Sequence, residues 1–131
     1  MVSRFMAIKL NGRAFQHAKT LVARRRAVLD EQDVWREHRP NSRQRDAFIS
    51  AHGIRSYGTW FLGIDTDAAE GTKARHKLPY GDFKNVHRCA VLSAEARAAQ
   101  YKYAPVAVAA AHLHGMLDEL LELPREARAH G

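Results

Sequence analysis

Eight histidines and one cysteine, Cys89, are the residues of this 131-residue chain best suited to hold a metal ion or attack a substrate. Their spacing decides what they can do alone. His112 and His114 are two apart in a helical segment, about 200° around the axis, and cannot grip one ion. His87 and Cys89, also two apart and read as helical, fail in the same way. A composite site, such as His76 with His87 and His112 or His114, would need the fold to assemble it. Asp65, Asp67, Glu70 and Gly71 resemble a calcium loop, but the oxygen, glycine and glutamate positions hold Ala69, Glu70 and His76. Cys89 lies among apolar neighbours, where a free thiol serves as a small hydrophobe. No glycine-rich phosphate loop, zinc-protease helix or nucleophile elbow is present. The sequence predicts no catalytic residue, no metal and no cofactor.

One local constellation survives. Tyr80, Asp82, His87 and Arg88 surround the turn 79–83 and the start of a helix expected at Phe83 or Lys84. Free backbone N–H groups there favour anions, which makes these four the ligand-site candidates. The structural alternative is that Asp82 caps the helix, Tyr80 packs, and His87 and Arg88 make ordinary hydrogen bonds or ion pairs.

Charge points elsewhere. The net charge is +7, and its excess lies in residues 1–45, with eleven Lys and Arg against four Asp and Glu. Arg13, Lys19, Arg24, Arg25, Arg26 and Arg43 are the candidates for contacting nucleic acid or an acidic partner. The nearby aromatics Phe15, Trp35 and Phe48 fall at core-like positions rather than as stacking platforms. A basic surface that only maintains solubility is the competing reading.

The elements that must position these residues follow from periodicity. Residues 1–11 read as a flexible arm. Phe15, Ala18, Leu21 and Val22 share one face of a helix that ends near Arg24. Residues 26–29 suit a short strand, and Asp30 and Asp33 suit a capped turn around Val34 and Trp35. After Pro40, Asn41 or Ser42 caps a helix to His52 that buries Ala47, Phe48 and Ala51, with Gly53 as its stop. Residues 59–64 and 73–80 alternate as a hairpin. Val86, Cys89, Leu92, Ala96 and Ala99 define one side of the next helix, with Ala90, Ala94 and Ala98 opposite. Pro105 opens a last helix carrying Val106, Ala109, Ala110, Leu113, Met116, Leu117, Leu120 and Leu121. Pro124 ends it, and 125–131 reads as a frayed tail. The expected fold is α+β, one domain over 1–131, with about four helices packed on a small antiparallel sheet built around the 59–64/73–80 hairpin.

No apolar run reaches the roughly 20 residues that span a bilayer. Lys9 interrupts the apolar N-terminal stretch, so no signal peptide is expected. A single cysteine excludes an internal disulfide. These features suggest a cytoplasmic protein; they leave its oligomeric state open.

The run Lys77-Leu-Pro-Tyr-Gly-Asp-Phe-Lys-Asn-Val-His-Arg88 precedes the stretch from Leu92 to Tyr101, with its Ala-x-x-Arg-Ala-x-Gln-Tyr pattern. Together with Gly12–Phe15, Trp35–Pro40 and Trp60–Asp65, these resemble a family of small uncharacterised bacterial proteins, over roughly residues 11–121. Short segments are faintly similar to phage-derived proteins. The resemblance implies a shared fold and a conceivable accessory role in a mobile element, and it transfers no catalytic residue. The function expected is a non-enzymatic binding module with a basic N-terminal third. The alternative is a small-molecule binder or small enzyme using Tyr80–Arg88.

Overall fold

Asn11 ties the first strand and helix to residues 58 and 62. The computed structural model describes residues 7–128. Strand β1 (Ile8–Leu10) leads to Asn11, whose side chain accepts from the backbone of Ala14 and so caps α1 (Gly12–Ala23). The same side chain donates to the Gly58 carbonyl at 3.0 Å, and the Asn11 backbone N–H donates to Leu62. Helix α1 buries Ala18, Leu21 and Val22 as its periodicity requires, with Ala14 fully buried and Phe15 only half-buried. Arg25, at φ 60°, turns the chain out of it.

A three-stranded antiparallel sheet forms in the order β1-β3-β4, with β3 spanning Phe61–Asp65 and β4 His76–Pro79. The α+β architecture and the hairpin are therefore present, but the third strand is β1. The expected arm is structured at residues 8–10, paired Ile8 to Asp65 and Leu10 to Gly63. Residues 1–6 of that arm lie outside the described residues. The second hairpin strand is shorter than its alternating pattern, because Lys73–Arg75 closes into a 3₁₀ turn. Strand β2 (Ala27–Val28) instead pairs in parallel with β5 (Val86–His87).

Helices α2 (Trp35–His38), α3 (Ser42–His52) and α4 (Ile54–Gly58) follow β2. Asn41 and Gln44 form a reciprocal capping box on α3. That helix buries no residue fully: Ala47 and Ala51 are exposed and Phe48 is half-buried, stacked on Phe83. Expectation and structure differ here because α3 lies on the surface and only its edge meets the core. A Cβ at Gly58 would lie 2.6 Å from the His76 ring, so a larger residue there requires that ring to move.

The main core lies between the sheet, α1, α5 (Arg88–Gln100) and α6 (Ala104–Leu121). Helix α5 starts four or five residues later than its sequence suggested, because the 82–87 segment is a turn and a strand. Its core face is Ala90, Val91, Ala94 and Ala98, whereas Ala96 and Ala99 are exposed. The small-residue side wins because it lets α5 approach α6 closely, where Val106, Ala110, Leu113 and Leu117 are fully buried. A short helix α7 (Arg125–Arg128) occupies part of the expected frayed tail; residues 129–131 lie outside the described residues. Among the described residues no helix is long and apolar enough to cross a membrane.

Candidate metal centre

The parallel pairing of β2 with β5 has a chemical consequence. Val28 is aligned with His87, so two residues further along each chain Asp30 meets Cys89. The Cys89 backbone N–H donates to Asp30 Oδ1 at 2.7 Å, and its thiol donates to Oδ2 at 3.0 Å. His87 Nδ1 lies 2.7 Å from the same Oδ2. Helix α2 completes the group. Trp35 is buried against Cys89 and Ala90, and one turn later His38 lies over the site. His38 Nδ1 is 2.7 Å from Asp30 Oδ2 and 3.8 Å from Cys89 Sγ. The ligating atoms of Asp30, His38, His87 and Cys89 all lie within 4.8 Å of one another.

A second layer orients this group. His87 Nε2 is 2.8 Å from Asp82 Oδ2. Asp82 is itself held by an Asx turn, its Oδ1 accepting from the backbones of Lys84 and Asn85 at 3.0 and 2.8 Å. Arg88 Nε donates to Asp118 Oδ1 at 3.1 Å, and Asp118 also pairs with His114, whose other nitrogen meets Glu95. Arg88 reaches back to the Asp30 carbonyl at 3.4 Å. The segment around residue 30 is thus tied directly to α5 and, through Arg88, to α6.

The electrostatics are consistent with that wiring. Burial alone would lower the His87 pKa, but hydrogen bonds and charge from Asp82 and Asp30 outweigh it and raise it. Burial alone would raise Asp82, yet the His87 ring and the two turn N–H groups bring it down to about 2. Asp30 is likewise pulled below its ordinary value against burial, chiefly by its bonds to Cys89 and then to the two histidines. The Cys89 thiol is pushed far up, by burial first and then by the Asp30 carboxylate beside it. That argues against a Cys–His nucleophile. A thiolate there would face a carboxylate oxygen at 3.0 Å, and His38 directs one nitrogen at both groups instead of bridging them through two. A metal ion reverses the sign of this environment, since it favours the deprotonated thiol.

The four ligand-site candidates divide. Asp82, His87 and Arg88 all belong to this centre. Tyr80 does not: it is fully buried, donates to the Thr59 carbonyl at 2.6 Å, and meets His17 Nδ1 at 2.9 Å. Asp82 does not cap a helix, because the chain is still extended at His87, with φ −108° and ψ 125°. For the same reason His87 and Cys89 are not two positions on one helix, and the spacing rule that excluded a shared ion does not apply to them. Sequence reading missed Asp30 and His38 as site residues. Asp30 does not cap the turn at Val34; the cap of α2 is Val34 itself, with no side-chain hydrogen bond.

The basic candidates remain dispersed over α1, the turn after it and α3. Arg13, Arg24, Arg26 and Arg43 are exposed. Lys19 lies over the Phe15 ring at 4.4 Å, and Arg25 donates to the Ala127 carbonyl. Comparisons of the chain with protein-family models, curated proteins and solved structures found no match.

Proposed function

We propose that this protein is a small zinc-binding module in which Asp30, His38, His87 and Cys89 hold one ion and lock the 29–38 segment onto the start of α5. The observation that carries this reading is the convergence of four ligand atoms from three chain segments within 4.8 Å, with His87 held from behind by Asp82. A carboxylate behind a ligating imidazole fixes its orientation and raises its basicity. One thiolate, two imidazoles and a carboxylate form a borderline-soft set suited to zinc. Tetrahedral zinc, with ligands at roughly 2.0–2.3 Å, keeps its ligand atoms about 3.3–3.6 Å apart. The closest separations here, from 2.7 Å to Asp30 up to 3.8 Å between His38 and Cys89, bracket that range.

Binding would displace the thiol proton and the His87 Nδ1 proton, and His38 would carry its proton on Nε2. Four protein ligands leave no open position for substrate, so the ion's role is structural and the module is a non-enzymatic binder. The test is zinc titration of the whole chain against a chromophoric chelator, with cobalt(II) as spectroscopic substitute. One ion per chain, a thiolate-to-cobalt charge-transfer band, and loss of both in Cys89→Ser are expected. His38→Ala, at a half-exposed ring, should weaken binding without disturbing folding. A chain that retains no zinc, or binds it equally well in both variants, would rule the centre out.

A further inference from the structure

Trp35 also lines a cavity of about 410 Å³, and none of the four proposed zinc ligands lines it. The hairpin and α4 form its apolar floor: Tyr57 and Phe61 are buried there, with Phe83, Leu78 and Pro79 beside them. Its polar lining is one-signed. Arg39, Arg45, Lys73, Lys77 and Arg97 converge on it from the 39–45 segment, the 73–77 segment and α5, and no Asp or Glu lines it. Among the described residues only Lys73 of these five has a carboxylate partner, Asp46 at 2.6 Å. Arg45 makes one long bond, 3.5 Å, to the Pro40 carbonyl.

Gathering these cations around one hollow is repulsive, and a protein tolerates the arrangement most readily where an anion neutralises it. A single carboxylate would neutralise one of them, whereas a phosphate monoester carries close to two charges and offers the planar guanidinium of arginine two oxygens at once. Aromatic rings in the floor suit a flat apolar body. The volume falls in the range of small-ligand sites and is too small for a nucleic-acid duplex.

We propose that this cavity binds an aromatic phosphate monoester of about mononucleotide size, with the ring against Tyr57, Phe61 and Phe83 and the phosphate between Arg39, Lys77 and Arg97. The site is independent of the zinc centre and stands or falls without it.

The experiment is calorimetric titration of the full chain with AMP, phenyl phosphate, inorganic phosphate and adenosine, at low and at near-physiological salt. AMP and phenyl phosphate should bind, while inorganic phosphate and adenosine, each lacking one half of the recognition, should bind at least about tenfold more weakly. Added salt should weaken AMP binding. Arg39 and Arg97 are both exposed, so Arg39→Glu/Arg97→Glu should fold normally by circular dichroism and keep the parent's metal content. It should lose AMP by more than about tenfold. Arg13→Glu/Arg24→Glu, outside the cavity, should bind AMP as the parent does. Failure of all four compounds at millimolar concentration would overturn the proposal. So would AMP binding that the Arg39/Arg97 variant retains, or tighter binding of a single-stranded oligonucleotide with a salt slope of several phosphates, which would make the hollow part of a nucleic-acid surface.

Discussion

His87 is buried and His76 half-buried, and their surroundings pull in opposite directions. Around His87 the fold places two carboxylates, one at each ring nitrogen, so the buried imidazole is held toward its charged form. Around His76 it places the Tyr57 and Phe61 rings and the backbone of Gly58. His76 Nδ1 has no hydrogen-bond partner among the described residues, and burial, with Arg75 nearby, lowers its pKa. Burial acts alike on both rings. What separates them is the second chain segment beside each: a parallel strand leading to Asp30 in one case, a hairpin packed on aromatic rings in the other. A histidine with two acidic partners is equipped for metal or proton chemistry, while one set among aromatic rings with none is held toward its neutral form.

That contrast is easiest to break at Asp82. Asp82→Asn keeps the side-chain shape but removes the charge behind His87, and zinc affinity should fall by about 10–100-fold with the fold retained. Chelator competition would measure it. An unchanged affinity would mean that Asp82 serves only its Asx turn and positions nothing.

Tyr80 probes the apolar side. Tyr80→Phe removes the hydroxyl that donates to the half-buried Thr59 carbonyl and meets the half-buried His17 ring, and should cost about 0.5–1.5 kcal/mol in denaturant unfolding, leaving zinc binding unchanged. A change in zinc affinity would show the two regions to be coupled.

The smallest effect is the pH response of His76. Its folded pKa lies below the ordinary 6.5, so its neutral form contributes stability that is fully present above 6.5 and is lost as pH falls from there toward the folded value. His76→Leu removes that dependence. Its unfolding free energy relative to the parent should therefore improve as pH falls from about 7.5 to about 5. The Asp30, His38, His87 and Cys89 cluster is common to both proteins and drops out of the difference. A constant difference across that range would place His76 in water in the native state.

Much of the fold was legible because it rests on local periodicity. The α1 stripe, the Asn41 cap, the hairpin and the α6 stripe each follow from residues within a few positions of one another, and each appears where such patterns place it. Errors gathered where local signals were weak or misleading. Asp82 in the 79–83 turn suits a helix cap, but the Asx turn at 82–85 and the pairing of β5 with β2 delay the helix to Arg88. That delay of four or five residues also hid the candidate site, since it turned His87 and Cys89 from two positions on a helix into the end of a strand and the first turn after it.

The amino-acid order alone determined the composition of the core helices, the asymmetry of charge, and which side chains could serve as ligands. Only the tertiary structure decided that Asp30, His38, His87 and Cys89 meet. Parallel pairing between residues 27–28 and 86–87 joins segments nearly 60 positions apart, and no short-range pattern encodes it. Its driving force is burial of the residues on either side, Val86 and Trp35 among them, whose partners lie far away in the chain.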